Sequence, residues 1–100
     1  MIRGTTPTHT FTLPFDSSVI SKVRILYSQN DELVFAKSDA DATMDTNTIS
    51  VVLSQQDTLS LDCHRPVDIQ LRVLTKGGEA LASDIIREKV DRCLDDEVLA

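Results

Sequence analysis

The sequence predicts an all-β fold, an antiparallel and immunoglobulin-like β-sandwich with one short helical turn near residues 55–58. Three observations predict it. Apolar and polar residues alternate in several short stretches, the period of a half-buried strand. Turn-forming residues separate those stretches by about eight to twelve residues, the spacing of small sandwiches and barrels. Finally, the 100 residues are 41% apolar and 26% charged, near the globular average and enough for one core. The length prior makes 1–100 a single domain.

The first element is "THTFTLPF", with His9, Phe11, Leu13 and Phe15 on one face and Thr8, Thr10 and Thr12 on the other. Pro7 and Pro14 place it at a sheet edge, because neither can donate a ladder bond. "SKVRILYS" repeats the alternation with Val23, Ile25 and Tyr27. Asn30-Asp31 then forms a two-residue hairpin turn, since both residue types tolerate positive φ. "ELVFAK" is the return strand, and a turn at "MDTNT" leads into "TISVVLS". In "SQQDTLSLD", Ser54 and Asp57 form a capping box with Asp in the Glu position, which marks the helical turn. After Pro66, "VDIQLRV" alternates again, with Val67, Ile69, Leu71 and Val73 on one face.

Lys76-Gly77-Gly78 has to be weighed as a phosphate loop. Such a loop needs GxxxxGK[ST] between a strand and a helix, and here the lysine precedes the glycines with no Ser or Thr in the magnesium position. Two glycines after an alternating strand supply the positive φ of a tight hairpin turn. A two-residue turn would pair residues whose numbers sum to 155. "ALASDIIREKVDRCL" follows and can be read two ways. Ile86, Val90 and Leu94 are spaced for a helix and also share one side of a strand; the turn chemistry and the Ile85-Ile86 run favour a strand to about Leu94, ahead of an acidic tail.

Three stretches, "RGTTPTHTFTLPFD", "ISVVLSQQDTLSLD" and "VDIQLRVLTKGGEALASDI", give the chain as a whole a resemblance. It resembles small phage- and prophage-encoded, virion-associated proteins of gut Firmicutes, from the tail or baseplate region. The resemblance covers nearly the whole chain and consists of strand-and-turn signatures. It implies a β-sandwich structural or adaptor module, present in the host cytoplasm during assembly and in the virion, and transfers no active-site residues.

The chemistry-bearing residues give little support to an enzyme. His9, Cys63, His64 and Cys93 could supply four zinc ligands, but no close CxxC or HxxxH pair exists, and Cys63 and His64 would point to opposite faces of a strand. His9 reads instead as a partly buried strand residue. "DADATMDTN" from Asp39 to Asn47 imitates a calcium loop, yet Met44 replaces the loop glycine and Ser50 stands in the bidentate glutamate position. No GxSxG elbow occurs. We therefore expect no catalytic, cofactor or metal site. The thiols of Cys63 and Cys93 are expected to be free, though near enough across the ladder to oxidise in vitro.

Net charge −6 with an isoelectric point near 4.6 disfavours nucleic acid and anionic membrane surfaces. "MIRGTTPT" has no apolar signal core and no stretch is long enough to span a membrane, so the expectation is a soluble chain without a secretion signal. The expected function is a non-catalytic module acting through protein–protein contacts, copies of the same chain included. The alternative is a small domain binding a sugar or a cation through its loops. If Asn30-Asp31 sets the register, Tyr27 faces Val34, Ile25 faces Ala36 and Leu26 faces Phe35. Both faces of the hairpin are then apolar, and Leu26, Leu33 and Phe35 form the candidate partner-facing patch.

Overall fold

The computed structural model describes all 100 residues. Eight strands form two antiparallel sheets. One has the order β1 (Thr8–Thr12), β5 (Thr48–Val52), β4 (Ala42–Asp45). The other has the order β3 (Glu32–Ser38), β2 (Ile20–Gln29), β6 (Val67–Thr75), β7 (Ala80–Ala82), with β8 (Ile86–Glu88) continuing the β7 edge along β6. The all-β sandwich is thus as the periodicity predicts. The strand order is not the immunoglobulin one, in which the first two strands are neighbours. Here β2 lies between β3 and β6.

The inward residues of the two sheets make one core. Phe11, Ile49, Val51 and Leu53 meet Val23, Ile25, Tyr27, Ile69 and Leu71, all buried. Two polar residues are also buried, and each is satisfied. Gln29 donates to the carbonyls of Asp62 and Arg65 and accepts from Asp62 N–H, which pins the turn before β6. Thr58 Oγ1 donates to Thr5 O and accepts from Gly4 N–H, holding the N-terminal segment on the helical turn.

That turn is α1 (Gln55–Leu59), and its capping box is complete. Asp57 N–H donates to Ser54 Oγ at 3.1 Å, and Ser54 N–H donates to Asp57 Oδ2 at 2.8 Å. Asp57 also accepts from Lys37 Nζ at 2.6 Å. The helical turn is therefore tied to β3.

Asn30 and Asp31 take φ of 52° and 63°, the hairpin turn the sequence predicts. The register beyond it differs from expectation. Ser28 faces Leu33, but Tyr27 faces Phe35, Leu26 faces Ala36 and Ile25 faces Lys37. Val34 is the extra residue of a β-bulge, which turns Val34 and Phe35 both toward the core. The Gly77-Gly78 turn is confirmed as a turn, but with three residues in the loop. Gly78 N–H donates to Thr75 O, Thr75 N–H donates to Glu79 O, and Gly78 takes φ of 89°. Val73 consequently faces Leu81.

The long strand expected as far as Leu94 is broken and shorter. Ser83 interrupts it: its N–H donates to Leu71 O while its Oγ accepts from Leu71 N–H. A side chain has taken one place in the ladder. β8 ends at Glu88 because the chain then turns to run beside the N-terminal segment. Asp91 N–H donates to Met1 O and Arg3 N–H to Asp91 O, and Val90 is buried there.

Candidate functional site

The sandwich is open along one side. β1 has β5 on one flank only, and its ladder bonds run through Leu13 N–H to Asn47 O and Leu53 N–H to Pro7 O. Alternation in an antiparallel ladder then turns the N–H and C=O of Thr8, Thr10 and Thr12 toward the free edge. Pro14 falls on that edge, where its missing N–H costs nothing. In β7, the bonds at Glu79 and Ser83 leave the backbone groups of Ala80 and Ala82 facing outward. Two unpaired edges, one from each sheet, therefore border the same opening.

Between them lies an apolar cleft of about 530 Å³. Phe11, Leu13 and Phe15 line one wall, Leu71 and Val73 the floor, and Leu81 and Ile86 the other wall. Leu81 and Ile86 belong to the inward register, opposite buried Val73 and Ile69, yet they are 39% and 50% exposed. The three-stranded sheet is too narrow to cover them. Ile85, in the break between β7 and β8, is 63% exposed.

The predicted patch is divided by the bulge. Leu26 and Leu33 lie on the outer face of the five-stranded sheet, Leu26 half-buried and Leu33 exposed. Phe35 lies on the inner face, stacked on Tyr27. The pairing of Leu26 with Phe35 is corrected to Leu26 with Ala36. Alternation places Ile86 on the core side and Leu81, five residues earlier, on the opposite one; only the break at Ser83 brings both into the inward register.

One polar cluster bridges the sheets. His9 Nδ1 is 2.8 Å from Tyr27 Oη, and its ring stacks on the tyrosine. His9 Nε2 is 3.4 Å from Glu88 Oε2 in a geometry that completes no hydrogen bond, leaving a buried nitrogen unpartnered. Burial holds the His9 imidazole below its ordinary value against the opposing pull of Glu88. Burial also pushes the Tyr27 phenol far up, with the Glu88 and Asp57 charges adding to the effect. Tyr27 is fully buried, so this trio ties the sheets together and presents no accessible nucleophile.

The remaining metal-like groups are placed as follows. Cys63 and His64 sit in a turn, not a strand, so the opposite-face expectation does not apply there. Donor atoms of Asp62, Cys63 and His64 fall within 4.8 Å of one another, without His9 or Cys93. Asp62 Oδ1 is already committed to His64 N–H. The calcium-like stretch is divided between a turn, β4 and the β4–β5 turn, with Asp41 accepting from Ser38 N–H and Oγ. Cys63 and Cys93 are both free thiols. No helix is long and apolar enough to cross a membrane. Comparison with protein-family models, curated proteins and solved structures finds no match.

Proposed function

We propose that the protein is a non-catalytic interaction module that receives an extended strand of a partner protein along its open side. The observation that carries this reading is the pair of unpaired edges, β1 and β7–β8, bordering an apolar cleft. Such edges give affinity through main-chain hydrogen bonds, and a cleft gives selectivity through alternate side chains. The net charge of −6 opposes assembly with further copies of the chain and favours a basic partner strand. The setting we propose is a phage or prophage virion, at the tail or baseplate. That setting draws its support from the resemblance of the strand-and-turn stretches, and flanking tail or capsid genes would test it.

The strand-addition reading is tested with short peptides of alternating apolar and basic residues. Binding should protect the amides of Thr8, Thr10, Thr12, Ala80 and Ala82 from hydrogen exchange. Thr10→Pro removes an outward N–H and the exposed Thr10–Ser50 hydroxyl contact but none of the backbone bonds of the β1–β5 ladder, and should abolish that protection while the fold persists. Protection that appears elsewhere, or peptide binding indifferent to Thr10→Pro, overturns the reading.

A further inference from the structure

The outer face of the five-stranded sheet carries three cations, Lys22, Arg24 and Arg72, that no ion pair engages. Register places Ser38, Arg24, Arg72 and Ala82 in one row straight across four strands. Arg24 and Arg72 are direct cross-strand neighbours, an arrangement that costs stability unless an anion lies between them. Lys22 stands in the next row, beside Leu74 and Ala80. All three cations are exposed, and the ion pairs of the protein use other residues. Asp68, on the same face of β6, is roughly 13 Å along the strand from Arg72. It is occupied by Arg87, with Nε to Oδ1 at 2.8 Å and Nη2 to Oδ2 at 3.3 Å.

The unmatched cations border a shallow pocket of about 390 Å³, with Ser38, Leu74 and Ala80 beside them. Asp39 also lines it, without forming an ion pair to any of the three. The small residues Ser38 and Ala82 at the ends of the row leave room for both guanidinium groups to turn toward one ligand.

We propose that this pocket binds the phosphoryl group of a small phosphate ester. Two guanidinium forks and an ammonium can share the three terminal oxygens of one such group, which offers more acceptor positions than a carboxylate does. Leu74 and Ala80 supply an apolar surface for the carbon part of the ester. The chain's overall negative charge repels an extended polyanion, so the ligand is compact, unlike nucleic acid. The site lies on the outer face, across the sheet from the cleft, with which it shares Val73, and it does not depend on strand addition there.

The test is an amide-shift titration with phenyl phosphate and with inorganic phosphate, at neutral pH and constant ionic strength. Saturable shifts should centre on Lys22, Arg24, Ser38 and Arg72, with the ester binding more tightly than inorganic phosphate. Arg24→Gln and Arg72→Gln should each weaken binding about tenfold, the worth of one charge-assisted hydrogen bond. Each should also leave the melting temperature of the free protein equal or higher, because a like-charge contact is relieved. Thr10→Pro should leave ester binding unchanged. Unsaturable shifts spread over the surface, or ester affinity indifferent to both glutamine variants, would overturn the proposal. So would tighter binding of a single-stranded DNA oligonucleotide at the same residues.

Discussion

Tyr27 and Phe35 stack across β2 and β3 with ring centroids 4.5 Å apart and planes 20° from parallel. His9 continues the stack on the Tyr27 ring, at 5.6 Å. Lys37 Nζ lies 5.8 Å from the Phe35 centroid and pairs with Asp57. The stack thus runs from β1 through the core to the helical turn.

Phe35→Ala should therefore act on the fold. Full burial would set a loss of 3–5 kcal/mol; with Phe35 only half-buried, about 2 kcal/mol is expected. Leu33→Ala, at an exposed position, should stay within about 0.5 kcal/mol. Urea denaturation of the two variants checks the contrast. Equal and small losses would show that the inner stack contributes nothing.

Ser54→Ala removes one half of the capping box and should cost about 1 kcal/mol. Asp57→Ala removes the other half and also strips Lys37 of its partner, so its cost should be the larger of the two. Burial pushes the Asp57 carboxyl up, but the bonds from Lys37 and Ser54 outweigh it and hold it below its ordinary value of 3.8. Thermal melts at neutral pH would decide the order, and a milder effect for Asp57→Ala would contradict it.

Stability should depend on His9 in mildly acidic solution. Its folded value lies below 6.5, so the unfolded chain takes up a proton at higher pH than the folded one. The contribution is complete above about 6.5 and is lost as pH falls toward the folded value. His9→Gln keeps a partner for Tyr27 Oη and should flatten the profile just below 6.5, leaving only the carboxylate limb at lower pH. A wild-type profile already flat in that range would remove His9 from the account.

The two glycines of the β6–β7 turn should respond differently. Gly78 needs φ of 89°, so Gly78→Ala should cost about 1 kcal/mol from backbone strain alone, with nothing within 4 Å for the methyl group to strike. Gly77 has no such requirement, and its added Cβ would make ordinary contact with Thr75 Oγ1 at 3.8 Å. Gly77→Ala should be neutral or slightly stabilising. Chemical denaturation of both variants distinguishes the three-residue loop from a two-residue turn needing both glycines.

Local chemistry made much of this fold legible. Asn30-Asp31, the Ser54–Asp57 capping box and the glycine turn each depend on residues close in sequence, and each is found where expected. Register was less legible. Whether Val34 bulges depends on both Val34 and Phe35 finding room in the core, which belongs to the packed state. Ser83 broke the last strand because its hydroxyl competes with the ladder, a choice alternation cannot express. The open side was hidden for a related reason: uninterrupted alternation puts Leu81 and Ile86 on opposite faces, and only the break at Ser83 brings both to the inner face, where the narrow three-stranded sheet leaves them exposed. The Arg24–Arg72 pair likewise needs the β2–β6 register before it becomes a feature.

An edge that accepts a guest strand can in principle accept copies without end, which is how cross-β fibres propagate. The open side limits that growth by its own dimensions. β1 runs only from Thr8 to Thr12 and is stopped by Pro14, while β7 spans Ala80–Ala82 before Ser83 interrupts it. Both fall short of the roughly six- or seven-residue segments that templated stacking uses. On the strand-addition proposal, recruitment along this side would be self-limiting: a guest would complete the sandwich there without extending the stack.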